Sequence, residues 1–400
     1  MPPQSKNQPP ACSDLREALQ ELKEKQAEFR SALDQGRTTG DLKPAQALKA
    51  KIEQKMASLK ERLWPFKELS QPELEKQYQA QKEIFQKTGI LERLSNGELG
   101  IKGIDDQEYP FPELPDIFKM MRENKEILKI KSEQGFKNLL ITPFGMKLDD
   151  LAYKYGQAIL KHHQAGKLFA TKKNQDDPSE PLKPLELDEG QPLWKGADYA
   201  DADRSGELVY RPKQLPTRSE EPARDQRRQK SQGKTKKELL EQEKAGPEGQ
   251  AYGAGWDIQL IEDLPNIPRK DQGQTVGGRP QLDTAGTSLE KYIQKGETVS
   301  SPQEYLKAIQ NEPIYAHEQG MTPEDQLAYA ILHLEQTDQV IDDWRGNGSL
   351  SYQLGSYFLS GRVPIADWDR GYRRAVLSGS DPDYRDGDCG VRSGVRVSKF

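Results

Sequence analysis

Leu15, Leu19, Leu22, Gln26, Phe29 and Leu33 follow one another at alternating spacings of four and three, and Leu48, Ile52, Met56, Leu59 and Leu63 repeat a similar stripe. Such spacing places one apolar seam along each of two helices. Residues 36–41 read as a turn between them, and Pro44 suits a first helical turn, so the pattern predicts an antiparallel helical hairpin. The same stripes also fit an oligomerising coiled coil, which leaves a homo-oligomer through these helices as an expected partner arrangement.

Ser70-Gln71-Pro72-Glu73 is a capping box that opens a further helix through Tyr78 and Ile84, and Gly89 ends it. Leu139-Leu140-Ile141 reads as a short buried strand. Leu148, Leu151, Tyr155, Ile159, Leu160 and Leu168 then carry helical periodicity, with His162 and His163 near the end, where terminal carbonyls account for them without a metal. Later, Trp256 to Ile261 alternates like a strand. Three capped helices follow: Thr287 with Glu290, Ser301 with Glu304 behind Pro302, and Thr322-Pro323-Glu324-Asp325, whose helix carries Leu327, Ile331 and Leu334 on its apolar side. After Trp344 the pattern turns to Gly, Ser, Tyr and short strands. Arg373, Ala375, Leu377 and Gly379 alternate with Arg374, Val376, Ser378 and Ser380, and Val391, Val395 and Val397 alternate with Arg392 and Arg396 as one strand with a buried face.

Residues 176–250 are dominated by Pro, Gly and charged residues around one apolar island, Leu208-Val209-Tyr210, and are expected to be a polar, largely disordered linker. Its basic run, Arg224, Arg227, Arg228, Lys230, Lys234, Lys236 and Lys237, has no interleaved aromatic residue to stack on bases, so nucleic acid is not an expected partner. Gly233-Lys234-Thr235 lacks the glycine a phosphate loop needs five positions earlier, where Arg228 stands. The predicted fold class is thus α+β. It comprises a helical hairpin over 1–90, a small mixed α/β module over 91–175, the linker over 176–250 and a ligand-binding domain over 251–400.

Charge changes this picture little. Across 400 residues the net charge is −5 and the mean hydropathy −0.92, which favours compact modules joined by solvated segments and gives no global attraction for nucleic acid or anionic lipid. With no long apolar run and a polar start, the expectation is a cytoplasmic protein with no membrane insertion. Cys12 and Cys389 offer neither a disulfide framework nor metal-binding spacing, so no cofactor or metal is expected.

The chemistry of the ending narrows the function further. Between Leu354 and Ser398 there is no Lys, Glu, Gln or Met, although the first three crowd the chain before it. Asp381, Asp383, Asp386 and Asp388 suggest calcium, but Pro382 holds the second loop position and Arg392 stands where the closing glutamate belongs. No histidine follows Leu334 to activate Cys389 as a nucleophile, so no catalytic residue is assigned. Tyr, Asp, Arg, Ser and Gly together are the side chains of adaptable binding surfaces.

The pattern from Trp368 through Val397 resembles the variable region of proteins diversified by retroelements, those with a C-type-lectin fold of the formylglycine-generating-enzyme (sulfatase-modifying factor) type. Met321-Thr322-Pro323-Glu324-Asp325 leading into Ala328-Tyr329-Ala330, and Gly390-Val391-Arg392 closing on Val395-Arg396-Val397, look like that family's helix and final strand, and residues 251–400 are covered. The family's mutagenesis acts on adenines of AAC or AAT codons, which never yields Lys, Glu, Gln, Met or Trp. The resemblance implies a variable region over about 366–397. Its ligand-facing positions would be Asp367, Asp369, Gly371, Tyr372, Val376, Ser378, Asp383, Tyr384, Asp386, Asp388 and Cys389, held on a framework of Trp368, Ala375, Leu377, Arg385, Gly390, Val391, Val395 and Val397. A protein or glycan ligand is the implied partner. The related enzymes use paired cysteines with copper, and the one cysteine of this domain cannot supply a pair. The expected protein is therefore a non-enzymatic recognition protein; an enzyme on the same fold and a structural coiled-coil scaffold are the alternatives.

Overall fold

Each apolar stripe near the start needs a second surface to cover it, and the two helices cover each other in part: Ile52 is buried, Leu22, Phe29, Leu33 and Leu48 are half-buried and Met56 is exposed. In the computed structural model, which describes residues 10–171, 181–220, 223–244, 254–267, 275–276, 279–280, 291, 297–346 and 348–397, α1 (Pro10–Thr39) packs along α2 (Lys43–Leu63). Helix α1 runs through most of the predicted turn. Gly40, at φ 78, reverses the chain, and a Cβ on Gly36 would lie 2.7 Å from the Asp41 carbonyl oxygen, so the approach of the two arms requires glycine. Ala45 and Ile52 are buried in the seam, and Lys55 pairs with Glu21 across it.

Met1–Lys67 forms one compact unit and Glu68–Phe400 a second. The boundary thus falls before α3 (Gln71–Lys87), not at residue 90. The reason is a side-chain graft: Gln81 of α3 donates to the Leu139 carbonyl at 2.7 Å and accepts the Ile141 N–H at 2.9 Å, completing the edge of a strand 60 residues away. Next come β1 (Glu92–Arg93), β2 (Leu99–Lys102) and β3 (Glu108–Pro110), an antiparallel three-stranded sheet. They lead to α4 (Leu114–Glu123), α5 (Lys125–Glu133), β4 (Asn138–Thr142) and α6 (Leu148–Gln164).

The expected linker is largely built into the second unit. It contains β5 (Leu193–Lys195), α7 (Ala202–Ser205), β6 (Leu208–Tyr210), α8 (Arg224–Ser231) and α9 (Lys236–Lys244). Composition misleads here because charged residues are buried with partners. The Lys236 ammonium, fully enclosed, reaches Asp203 at 2.7 Å, Glu324 at 2.8 Å and the Met146 carbonyl at 2.8 Å. Burial alone would push its pKa down, but Asp203 and Glu324 outweigh that and hold it above the ordinary lysine value. Arg227, also buried, donates to the Leu359 carbonyl at 2.6 Å.

The remainder is β7 (Asp257–Ile261), β8 (Thr275–Val276), β9 (Arg279–Pro280), α10 (Pro302–Asn311), β10 (Glu318–Gly320) and α11 (Pro323–Thr337). It ends in β11 (Asp343–Trp344), β12 (Leu350–Tyr352), β13 (Ser356–Phe358), β14 (Val363–Asp369), β15 (Arg374–Ser380), β16 (Cys389–Val391) and β17 (Ser393–Arg396). The chain is therefore α+β. The capping box expected at Thr287 and Glu290 lies outside the described residues.

Two sheets organise the second unit. One is antiparallel in the order β10-β17-β7-β4, so the strand expected in the small module pairs with one expected in the next domain, and the boundaries at 175 and 250 do not separate compact units. β7 is flanked on both sides and every residue in it is buried, in place of the predicted alternation. The other sheet runs β16-β12-β14-β15-β5, with β11 also on β14. The expected single strand through Val391 to Val397 is two strands, one in each sheet. The chain switches at Arg392, whose side chain is buried. His162 meets side chains of α11's end, with Nδ1 2.9 Å from Asp338 and Nε2 3.4 Å from Glu335, in place of helix-end carbonyls.

Under the N-terminus of α11 lies an acid cluster in which Asp257 and Asp325 are buried and Glu243 is half-buried. Asp325 closes a reciprocal cap with Thr322, Asp257 meets Arg396 at 2.5 Å, and Glu243 of α9 accepts the Gly255 N–H at 3.1 Å. Burial, reinforced by the Asp257 charge, pushes the Glu243 carboxyl up to about 7 and raises Asp325 likewise. A raised folded-state pKa means stability that is complete below the unfolded value near pH 4 and is lost as pH climbs through the folded one, at roughly 1.4 kcal/mol per pH unit for each group. His333 works the other way, because burial drops its pKa to about 4. Comparison of variants isolates the acid: Glu243→Gln should gain stability relative to the wild type between pH 5 and 8 in thermal melts, and a difference that stays flat with pH would refute the assignment.

Candidate functional site

The surface expected to bind ligand rests on a buried ion pair. Arg392 pairs bidentately with Asp342, at 2.8 Å on both contacts, and its remaining donors reach the Gln326 side chain at 3.0 Å and the Leu264 carbonyl at 2.7 Å. Asp342 sits at φ 51, a left-handed conformation that costs a non-glycine residue energy. Its carbonyl accepts the N–H of Trp344 at 2.8 Å and of Trp368 at 2.9 Å, and its own N–H donates to Pro265. Trp368 is thereby fixed at 1% exposure, with Ala375 opposite it on β15.

From this base two loops project. Asp369 accepts the N–H groups of Gly371 at 2.7 Å and Tyr372 at 3.0 Å, shaping the turn from β14 to β15. Arg370 forks onto Asp343 at 2.7 and 2.5 Å behind that turn, and a Cβ on Gly346 would lie 2.3 Å from its guanidinium. Tyr372 is left 64% exposed, with the Arg374 guanidinium 5.2 Å from its ring centroid. The second loop, residues 381–388, is pinned to the start of α10. Arg385 donates to Glu304 at 2.6 Å while Glu304 accepts the capping Ser301 N–H, and the Pro382 carbonyl accepts the Gln303 N–H. Tyr384 stands 57% exposed on it.

The expected ligand-facing residues divide. Gly371, Tyr372, Asp383, Tyr384 and Asp388 are exposed, and Val376, Ser378 and Asp386 are half-buried. Asp367, Asp369 and Cys389 are buried, against expectation. β14 has neighbours on both sides and cover on both faces, so its aspartates point into protein, while Cys389 packs in the core with Tyr352 and Val391. Burial, then Asp369 and Asp342, raise the Asp367 carboxyl well above its usual range, and burial pushes the Cys389 thiol up, away from a reactive thiolate. Of the expected framework, Trp368, Ala375, Leu377, Gly390, Val391, Val395 and Val397 are buried and Arg385 is half-buried.

Trp344 and Arg345 were not singled out from sequence. Trp344 pairs in register with Asp369 at the foot of the first loop, and its indole N–H donates to Asp388 of the second at 3.4 Å. It links two loops separated only by β15, and Arg345 stacks 4.2 Å from its ring centroid. The available signal was an aromatic beside a cation just before the glycines at 346 and 348. The loop aspartates serve the fold in part, since Asp386 accepts the Asp388 N–H at 2.9 Å. Among the described residues no three His, Cys, Asp or Glu side chains are grouped as a metal site. The basic run is engaged: Arg224 meets Glu207 at 2.6 Å, Arg228 meets Glu238 at 2.8 Å, and Lys230 meets Glu220 at 3.5 Å. No described helix is long and apolar enough to cross a membrane.

Two outcomes follow from these supports. Asp342→Ala leaves a buried guanidinium without its counter-charge and should cost about 3–5 kcal/mol in urea unfolding. Arg385→Ala removes only a partly exposed anchor, so stability should fall by about 1 kcal/mol or less while protease cleavage within 381–388 accelerates; equal cleavage rates would show that the anchor does not hold the loop. Comparison with protein-family models, curated proteins and solved structures returned no match to this chain.

Proposed function

We propose that the chain is a non-enzymatic recognition protein whose C-terminal domain has a C-type-lectin fold of the formylglycine-generating-enzyme type, and whose tip, diversified by a retroelement, binds a protein or glycan ligand. The observation that carries this reading is the segregation within residues 368–397. On β15, Ala375 and Leu377 are buried while Val376 and Ser378 are not, and the two tyrosines of the segment project from anchored loops on either side of Trp344. Such a surface can change its exposed side chains without disturbing the pair beneath it. Tyrosine supplies large contact area for little conformational entropy, and the neighbouring arginines and aspartates add charge-assisted bonds. The buried, raised-pKa thiol of Cys389 supports recognition over cysteine redox chemistry. A cytoplasmic location and self-association through α1 and α2 belong to the same proposal.

The decisive measurement is genetic. DNA beside the gene should hold a near-copy of its 3′ end whose mismatches fall only at adenines, and sibling cells should differ at the codons for Gly371, Tyr372, Val376, Ser378, Asp383, Tyr384, Asp386 and Asp388. Identity among siblings, or equal variation at Trp368, Leu377 and Val391, would end the proposal. With a ligand identified by pull-down, Tyr372→Ala or Tyr384→Ala should weaken binding by about 1–3 kcal/mol if it is an anchor.

A further inference from the structure

Every described arginine after residue 338, with one exception, has a carboxylate within 3.7 Å of its guanidinium. The exception is Arg345, whose exposed guanidinium makes neither a hydrogen bond nor an ion pair among the described residues. Its charge acts on Asp367, but burial and the neighbouring Asp369 and Asp342 hold that carboxyl well above its usual range, which weakens it as a counter-charge. Arg345 also sits at φ 60, a left-handed conformation that glycine would adopt without strain. The turn around it is fixed, since the Gly346 and Gly348 N–H groups both donate to the Asp343 carbonyl, at 3.0 and 2.9 Å. The fold thus holds an arginine where the backbone favours glycine, and its contact with the Trp344 ring leaves the N–H donors free for an outside acceptor.

Its place is between the two loops of the tip. Trp344 reaches both, through its register with Asp369 and its bond to Asp388, and the Arg345 Nη1 atom lies 3.1 Å from where a Cβ on Gly371 would stand. Position 371 is in the set proposed to vary, whereas Arg345 precedes residues 366–397 and stays. The neighbouring acids select the acceptor. Asp342 and Asp343 are taken by Arg392 and Arg370, but Asp369 and Asp388 stand beside the site without an arginine of their own among the described residues. They repel an incoming anion in proportion to its charge, so a singly charged carboxylate is favoured over a phosphate group at about −1.5 to −2. A carboxylate also matches the planar fork of the guanidinium. With Trp344, Tyr372 and Tyr384 around it, Arg345 belongs to a group of the residue types that dominate binding energy in protein interfaces.

We propose that Arg345 is a constant anchor within the diversified tip and that it takes the carboxylate of an Asp or Glu side chain on a protein ligand. The proposal rests on the reading of the tip as a recognition surface, and it names the partner chemistry that persists while the loops change.

Random peptides displayed as a library and panned on the full-length protein supply the probes. Peptides that lose binding on Tyr372→Ala or Tyr384→Ala report on the tip. In these, replacing one Asp or Glu of the peptide by its amide should weaken binding to the wild type by about tenfold or more and leave binding to Arg345→Gly unaltered. That variant should melt near the wild-type temperature, because relief of the left-handed strain offsets the added freedom of the unfolded chain. Arg345→Lys, which keeps the charge without the fork, should restore binding only in part. Tip-binding peptides without an acidic residue, or equal amide sensitivity in the wild type and Arg345→Gly, would overturn the proposal and leave the recognition reading standing. Absence of any peptide sensitive to either tyrosine would remove both. Arg345-dependent binding of trigalacturonate, without an Asp- or Glu-dependent peptide, would give the anchor to an acidic glycan and overturn the protein assignment.

Discussion

A guanidinium with no access to water must have every donor matched, and Arg392 meets that demand by drawing three parts of the chain to one point. Asp342, Gln326, Leu264 and Pro265 all contribute oxygen atoms to it. The desolvation cost of the charged pair makes any partial arrangement unfavourable, so the group is made whole or not at all. That requirement sets where β16 leaves one sheet and β17 enters the other. It also holds Asp342 in a left-handed conformation, from which its carbonyl fixes both Trp344 and Trp368.

A rigid base of this kind allows the tip to be built from short polar loops. Asp369 folds the first turn from within and Arg385 ties the second to the cap of α10, so Tyr372 and Tyr384 project from loops held in place by side-chain hydrogen bonds. Trp344 joins the loops from below.

Local signals were legible wherever a residue's role is decided by its near neighbours. The helix caps at Ser301 and Thr322, the strand around Ile141, the alternation of β15 and the hairpin of α1 and α2 all depend on contacts within a few residues or on one repeated seam. The region read as a linker was misjudged because low hydrophobicity signals solvation only when charges lack partners. Lys236, Asp203 and Glu324 neutralise one another in the interior, and nothing in the spacing of 203, 236 and 324 announces it. Asp367 and Asp369 were misplaced on the surface for a different reason. Their placement rested on the family resemblance alone, whereas packing covers both faces of β14.

The amino-acid order by itself determined the α+β character, the helix caps at Ser301 and Thr322, the paired seam at the start and a compositionally distinct ending rich in Tyr, Asp, Arg, Ser and Gly. Each follows from short-range sterics, hydrogen bonding and hydrophobic period. Tertiary structure alone decided that residues 68–400 close into one unit, that Arg392 divides the last strand between two sheets, and that only part of the ending reaches solvent. Those outcomes turn on which buried charges find counter-charges and which strand edges find neighbours across long stretches of chain, and such pairings leave no periodic trace in the sequence.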